Sequence, residues 1–251
     1  MKPSRLIVAA ALAIAPAIAL TAPALASAPA SASTIHSVRN GVTVYFDAQQ
    51  AGYAAIPEKG KAKAFRYITA TWTVPTDACA DPAADGADQI LSLGTQVDGI
   101  FGFCNNDAVV FNAGYVDANG QDAVHFAANP GDSITASIFY NAATKQYTLK
   151  VSDQNSGATF NTTQPAPAAP TGWADVAMSD NFGVNSGALG GFGQVNFTAV
   201  KAIDSTGQAG GLLNANWNTG ELVENEDQGG QAPGPIYSAT SPAQSAFSVT
   251  G

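Results

Sequence analysis

The chain has 251 residues, and its 19 aspartates and glutamates outnumber its 10 lysines and arginines, which gives a formal charge of −9 at pH 7. A surface this acidic repels phosphate groups, so the composition argues against nucleic acids and anionic membranes as partners. The length is sufficient for one large core in a single domain.

The first 28 residues have the pattern of a secretory signal peptide. Lys2 and Arg5 precede an apolar run that begins at Leu6, and the small residues at its end match the A-x-A pattern of a cleavage site. Pro16 interrupts the run, and no later stretch approaches the roughly 20 apolar residues of a membrane helix. We therefore predict an extracellular (secreted) protein without a membrane anchor. The candidate cleavage positions are Ala26, Ala28, Ala30 and Ala32.

Cys79 and Cys104 are the two cysteines of the chain. In an oxidising compartment they are predicted to form one disulfide, which closes a loop of about 25 residues and contributes about 3 kcal/mol in the loop-entropy model. Two thiols with only His36 and His125 in addition make a poor set of metal ligands. No metal or other cofactor is predicted.

The remaining chain is predicted to be one β-sandwich domain over residues 49–251, preceded by a flexible lead over residues 29–48. Short segments with strand-like alternation follow one another between Gly- and Pro-rich turns, and none has a convincing helical period. The predicted strands are Val42–Tyr45, Ala51–Ala55, Phe65–Pro75, Ile90–Val97, Val109–Val116, Gln121–Ala127, Ser133–Tyr140, Tyr147–Ser152, Trp173–Met178, Gly193–Ala202 and Ser245–Thr250. This pattern is typical of an all-β fold with two packed antiparallel sheets.

Five stretches are predicted to be turns or loops. They are Asp98-Gly99 as a tight turn, residues 76–89 as an acidic loop, residues 164–171 as a segment that crosses the surface, residues 181–191 as a Gly-rich loop, and residues 221–227 as a solvated loop. The acidic loop contains Asp81, Asp85 and Asp88, whose spacing fits no known Ca²⁺ loop, so no calcium site is predicted.

The strand from Val109 carries one polar side chain that needs an explanation. Val109, Phe111, Ala113 and Tyr115 fall on one face, and the opposite face is also largely apolar except for Asn112. Because both faces are apolar, the strand is predicted to be a central one that is covered on both sides. An amide in such a strand must find partners or cost roughly 1–3 kcal/mol. Asn112 therefore either satisfies a neighbouring backbone group or lines a wetted cleft.

The short motifs of the common enzyme classes are absent. The chain has no G-x-S-x-G, H-E-x-x-H or C-x-x-C motif and no phosphate-binding loop. Its few glutamates lie outside the predicted central strands, which disfavours the paired carboxylates of a glycosidase. Trp72, Trp173 and Tyr115 could stack on sugar rings, although aromatic residues in strands more often belong to the core.

Six short pieces of sequence occur in the order and approximate spacing of one known family. They are Ala51–Ala55, Ile68–Thr76, Val97–Gly99, Pro130–Ile138, Leu149–Asp153 and Phe192–Phe197. Over residues 51–251 the chain therefore resembles the eqolisins, the secreted glutamic peptidases, which have bacterial relatives. The resemblance implies a concanavalin-like (jelly-roll) sandwich whose concave face binds an extended peptide. It also implies a glutamate that acts as general base on a water molecule, and a glutamine amide that stabilises the tetrahedral intermediate, usually in acid.

The resemblance assigns the family's functional positions to residues of this chain. The glutamine matches Asn112, because the glycine two residues after it matches Gly114, and the aspartate of the family's G-I-D-G segment matches Asp98. The glutamate falls at Met178 or Ser179 in one alignment. A second alignment, anchored on a tryptophan, places it at Asp175 or Val176.

The same resemblance predicts residues that contact substrate. The family's substrate-binding stretch corresponds to residues 123–130, which contain His125 but lack the glutamate and the tryptophans of the family pattern. Asp98, Trp72 and His125 are the predicted substrate contacts.

Three hypotheses follow from these departures. The first is a family member with impaired catalysis whose cleft binds a peptide or a glycan. The second is an active acid endopeptidase of the glutamic type that uses Asn112 with Asp175 or Asp98. The third is a structural extracellular protein. In each case we predict a monomer.

Overall fold

The structure, a computed structural model, describes most of the chain from residue 34 onward. The described residues are 34–39, 42–47, 50–57, 64–76, 88–105, 108–117, 121–166, 169–170, 172–179, 192–224, 238–239 and 245–250. All regular secondary structure in this part of the chain is β-strand. The predicted all-β, two-sheet sandwich is confirmed. None of the described segments forms a helix of the length and apolar character that a membrane span requires.

One sheet has nine strands, which we number in chain order. From edge to edge they are β1 (Thr34–Arg39), β2 (Val42–Asp47), β15 (Asn218–Glu224), β3 (Gln50–Ile56), β12 (Ala174–Ser179), β5 (Asp88–Leu93), β6 (Gln96–Asn105), β7 (Ala108–Val116) and β8 (Asp122–Ala128). Neighbouring strands are antiparallel except β2 and β15, which run parallel.

The second sheet has eight strands and is antiparallel throughout. Its order is β11 (Thr159–Pro165), β10 (Gln146–Asp153), β9 (Ser133–Asn141), β4 (Phe65–Thr73), β13 (Gln194–Asp204), β17 (Phe247–Thr250) and β16 (Ser238–Ala239), and β14 (Ala209–Gly210) also pairs with β13. β9 and β10 form a hairpin.

The core lies between the two sheets and is filled by alternate residues of their strands. In β4 the predicted alternation is observed, since Ile68, Ala70 and Trp72 are buried while their neighbours are not. Trp72 is 1% exposed and its ring lies 5.7 Å from that of Phe197 on the adjacent strand β13. Each such large apolar side chain contributes roughly 1.5–3 kcal/mol when it is buried.

The two faces of the nine-stranded sheet have different surroundings. We call the face that packs on the eight-stranded sheet the inner face, and it carries Tyr53, Leu91 and Val176 in the main core. The opposite face is the outer face. Ile90, Val97, Phe101, Ala177 and Leu222 form a second apolar cluster there. A residue can act at the outer face only if its position in the strand alternation directs it there.

The prediction of a tight turn at Asp98-Gly99 is wrong, because β6 runs through both residues. The hairpin turn between β5 and β6 lies at Gly94-Thr95, where Gly94 has a φ of 66°. A positive φ is costly for residues with a Cβ but not for glycine. Gly99 serves another purpose. A Cβ at this position would overlap the carbonyl oxygen of Gln89 on β5, so glycine is required for the close approach of the two strands.

The variant Gly99→Ala is expected to lower the free energy of unfolding by about 3 kcal/mol, because β5 and β6 must separate to accommodate the methyl group. Chemical denaturation followed by circular dichroism measures this. Gly157→Ala is the control, since a Cβ there meets no atom within 4 Å and only its φ of 77° is unfavourable, which costs about 1 kcal/mol. An equal loss of unfolding free energy in both variants would show that the close approach of β5 and β6 is not the cause.

Two stretches predicted to lack regular structure form strands. The predicted flexible lead, residues 29–48, contains β1 in addition to β2, which was predicted as the strand Val42–Tyr45; the two strands pair with each other, and β2 also pairs with β15. The predicted solvated loop at 221–227 begins inside β15, where Glu221 is 3% exposed, and residues 225–227 lie outside the described part. The error has one physical origin. The β2–β15 pairing joins segments about 170 residues apart, which local sequence patterns do not reveal.

Two further predictions differ from the structure. The crossing segment predicted at 164–171 begins within β11, which ends at Pro165. The alternation in the strand predicted over Gly193–Ala202 places Ala199 on one face with Val195 and Phe197, but Ala199 has a φ of 50°, is exposed, and lies at a break in the pairing of β13 with β4. This bulge shifts the alternation by one residue, so Val200 is buried instead.

Candidate active site

Asn112 lies on the outer face of β7. Its neighbours Phe111 and Ala113 point into the main core, whereas Asn112 is half-buried on the other side. Its cross-strand partners are Phe101 on β6 and Ala127 on β8. β7 is an inner strand, paired with β6 and β8, but the prediction that it is covered on both faces is wrong, because Asn112 and Val116 on its outer face are partly exposed. The amide faces the part of the outer face that is open to solvent.

Asn112 belongs to a row of residues that crosses the outer face from strand to strand. Ser179 on β12 pairs with Asp88 on β5, and Asp88 lies one position beyond the Gln89–Ile100 pair, opposite Phe101. The row is Ala127, Asn112, Phe101, Asp88, Ser179 and Gln50. With about 4.8 Å between strands, Asp88 is about 10 Å and Ser179 about 14 Å from Asn112, measured between Cα atoms.

Asp88 is the carboxylate of this row, and sequence analysis missed it. It had been predicted to lie in the acidic loop at 76–89, but it is the first residue of β5 and is 1% exposed. Its Oδ1 accepts the backbone N–H of Gly102 at 2.9 Å. This bond directs the carboxyl group from β5 towards β6, the side on which Asn112 lies. A signal was present in the sequence, since Asp88 comes directly before the apolar run of residues 90–93.

The next row of the outer face consists mainly of small residues. Its members are Leu222, Gly52, Ala177, Ile90, Gly99, Gly114 and Val124. A Cβ at Gly114 would lie 2.6 Å from the carbonyl oxygen of Ala123 and 3.2 Å from Cε2 of Phe101, and Cβ atoms at Gly52 and Gly99 would also overlap backbone atoms of adjacent strands. The backbones are therefore crowded on this face, as expected of a sheet that bends towards it. Ile90, Ala177 and Leu222 are at most 1% exposed whereas Val124 is 55% exposed, so the row is open to solvent at its β8 end, next to Asn112.

Asp175 lies on the outer face but far from Asn112. It is buried on β12, where it pairs with Ala54 and Ser92. It is three strands across and four residues along from Asn112, a separation of about 20 Å. Of the two alignments, only the one that places the family's glutamate at Ser179 puts that position in the row of Asn112.

Asp98 lies on the inner face, between the sheets. It pairs with Leu91 and Tyr115, both members of the main core, and is 0% exposed. Burial raises the pKa of its carboxyl group well above the ordinary value, although the nearby backbone N–H groups of Lys150 and Gly99 act in the opposite direction. Since Lys150 belongs to β10 of the other sheet, Asp98 and Asn112 are on opposite sides of the nine-stranded sheet. The structure does not bring them together.

The two remaining predicted substrate contacts also lie away from Asn112. Trp72 is enclosed in the main core. His125 is exposed at the edge of the sandwich, where its ring stacks on Phe160 of β11 at 4.2 Å and on Tyr115 at 5.5 Å. It lies at a break in the β7–β8 pairing, between the partners of Ala113 and Gly114.

Within the described part of the chain, no cluster of three or more His, Cys, Asp or Glu side chains could hold a metal ion. Cys79 lies outside the described residues, so the disulfide with Cys104 stays a prediction. The signal peptide and the Gly-rich loop at 181–191 lie outside them as well.

Taken together, the fold and the polar row define a β-sandwich protein with an amide, a carboxyl and a hydroxyl group on the outer face of its larger sheet. The chain belongs to the Peptidase A4 family, whose model matches residues 48–250. No curated protein matches it at the level of sequence.

Solved structures with a similar fold include those of eqolisins. A scytalido-glutamic peptidase with a transition state analog inhibitor has a TM-score of 0.53 and 14% identity, over 81% of this chain and 98% of that one. SCP-B, a member of the eqolisin family in a complex with the tripeptide Ala-Ile-His, has a TM-score of 0.51 and 13% identity, over 80% of this chain and 98% of that one. At such low identity these similarities describe the fold and do not transfer an activity.

Proposed function

We propose that the protein is a secreted glutamic peptidase-like protein that binds an extended peptide across the outer face at Asn112, with impaired catalysis. The observation that carries this proposal is the composition of the row of Asn112. In the alignment that the geometry favours, the position of the family's glutamate holds Ser179, which has a hydroxyl group and no carboxylate. The signal-like first 28 residues support secretion.

The two substitutions reduce the rate by different physical routes. Asparagine is shorter than glutamine by one methylene group, so its amide reaches less far towards an oxyanion, and a lost oxyanion donor costs about 2.7–4 kcal/mol. A serine cannot take the proton of the attacking water as a carboxylate does, and loss of a general base costs about 10²- to 10⁴-fold in rate. Both changes leave the sheet and its outer face in place.

The glycines in the row next to Asn112 support a peptide as the ligand. Gly99 and Gly114 remove side chains next to the amide, so an extended backbone can approach the sheet closely. The Asn112 side chain offers both a donor and an acceptor, which complement the C=O and N–H of a peptide group. The partly exposed Val116 and the 55% exposed Val124 add apolar surface at the same end.

The geometry disfavours the two carboxylates first considered for an active enzyme. Asp175 is about 20 Å from Asn112, and Asp98 faces the core between the sheets. Neither can share a water molecule with the Asn112 amide.

Titration calorimetry at pH 4 with peptides from a digested unfolded protein tests the proposal. Loss of one buried hydrogen bond is worth about 1 kcal/mol, so Asn112→Ala is expected to weaken peptide binding about fivefold. The control is Lys150→Ala, an exposed mid-strand position on the far side of the eight-stranded sheet, which is expected to bind as the wild type does. Binding of glycans but not peptides, or equal loss in both variants, would contradict the proposal.

A further inference from the structure

We infer that Asp88 is a catalytic residue that supplies the general base for slow peptide-bond hydrolysis on the outer face. The inference rests on the proposed function, since it requires a peptide bound at Asn112. It concerns a residue that neither the sequence motifs nor the family's alignment identifies.

The position of Asp88 is the first support. It lies in the same cross-strand row as Asn112, two strands away, and next to Ser179, whose Cβ is within about 5 Å in a directly opposed pair. A carboxylate at Asp88 thus occupies the strand adjacent to the one on which the family's glutamate is expected. The hydrogen bond from the Gly102 N–H to Oδ1 holds the carboxyl group beside β6, the strand that lies between its own strand and that of Asn112.

The space between Asp88 and Asn112 is bounded by Phe101. A Cβ added to Gly114 would lie 3.2 Å from Cε2 of the Phe101 ring, so the ring extends from its own row towards Gly114. Phe101 is 6% exposed and Asp88 is 1% exposed, so both side chains are shielded from solvent. An ordered water or a peptide carbonyl placed there meets a carboxylate on one side and an amide donor on the other.

The other described carboxylates of the outer face are farther from the amide. Asp122 on β8 and Asp175 on β12 both lie in the row of Val116, four residues along from Asn112, which separates them from it by about 14 and 20 Å. Among the described residues with side chains on this face, Asp88 is therefore the carboxylate nearest to Asn112.

The reaction balances with these two groups and one water molecule. The water oxygen forms a bond to the peptide carbonyl carbon while its proton passes to the Asp88 carboxylate, and the Asn112 N–H donates to the resulting oxyanion. The carbon–nitrogen bond then breaks, and the proton passes from Asp88 to the departing amine. The products are a carboxylic acid and an amine, and Asp88 is again ionised.

Asp88→Asn separates a catalytic from a structural role, because its amide oxygen can still accept the Gly102 N–H. With an internally quenched peptide at pH 3–6, kcat is expected to fall at least 100-fold, while the affinity for the peptide and the melting temperature stay close to those of the wild type. The matched control is Asp204→Asn. Asp204 is a buried carboxylate on the other sheet that accepts the backbone N–H of Gln208 at 2.9 Å, and its loss is expected to leave kcat unchanged.

Three results would overturn the inference. Asp88→Asn with wild-type kcat excludes Asp88 as the base. A wild-type protein that binds the peptide but shows no hydrolysis above the blank removes the inference and leaves the proposed function in place. A wild-type protein that does not bind the peptide removes both.

A second measurement covers the case in which Asp88→Asn fails to fold. A peptide epoxide, which alkylates carboxylates, is incubated with the wild-type protein in acid, and the adduct is located by peptide mapping. We expect the label on Asp88, protected by excess unmodified peptide, and a label confined to other carboxylates would contradict the inference.

Discussion

The double variant Asn112→Gln, Ser179→Glu is expected to hydrolyse an unfolded protein in acid about 10²- to 10⁴-fold faster than the wild type. Glutamine extends the amide towards the oxyanion, and glutamate adds a carboxylate in the same cross-strand row, so both missing contributions are restored at once. Initial rates at pH 2–6 with an internally quenched peptide measure the gain.

The register of β12 can be checked by moving the glutamate. Asn112→Gln combined with Asp175→Glu places the longer carboxylate about 20 Å from the amide, so no gain is expected. Because Ser179 is fully buried, circular dichroism must first show that the Ser179→Glu variants retain the sheet signal. A folded double variant with the wild-type rate, or a gain only in the Asp175→Glu combination, would show that Ser179 is not the functional position.

The effect of Asp88→Asn is expected to differ between the wild-type protein and the double variant. If Asp88 acts as the base of the wild-type protein, Asp88→Asn should abolish the slow wild-type reaction but have a much smaller effect in the double variant, where Glu at position 179 takes the proton. The two carboxylates are then alternative bases at neighbouring positions of one row.

Local alternation in the sequence was sufficient to predict the sandwich and the face of its strand on which Asn112 lies. The period of two in β4 identifies Ile68 and Trp72 as core residues, and in β7 it separates Asn112 from Phe111. Side-chain direction follows directly from this period, so the face of Asn112 was available before any pairing was known.

The composition of the site could not be predicted because it depends on pairings between distant strands. Asp88 and Ser179 are 91 residues apart in sequence and become neighbours only through the pairing of β5 with β12. Asp98 shows the same dependence. With the hairpin turn at Gly94 rather than at Gly99, Asp98 falls within a strand, and the pairing with Leu91 directs it to the inner face.

The position of Asp98 has a consequence for stability. Asp98→Asn is expected to raise the free energy of unfolding at pH 7 by about 1–3 kcal/mol, because an amide of the same shape has no charge that burial must suppress. Burial raises the pKa of Asp98 in the folded protein, so below the ordinary carboxyl pKa the group is protonated in both the folded and the unfolded chain and carries no penalty. Above it the unfolded chain ionises first, and stability is lost as the pH rises towards the raised pKa. The variant should therefore differ little from the wild type at pH 3.

Urea unfolding between pH 3 and pH 7 measures this difference, and Asp153→Asn supplies a control of opposite sign. Burial also acts on Asp153, but hydrogen bonds from the Ser156 side chain and from the backbone N–H groups of Asn155 and Ser156 prevail and lower its pKa. Asp153 therefore contributes stability above the ordinary carboxyl pKa that is lost as the pH falls through its lowered value. Asp153→Asn should destabilise the protein at pH 7 and progressively less in acid. If Asp98→Asn instead changed the free energy of unfolding equally at pH 3 and pH 7, ionisation of the buried Asp98 carboxyl group would not be the cause of the change.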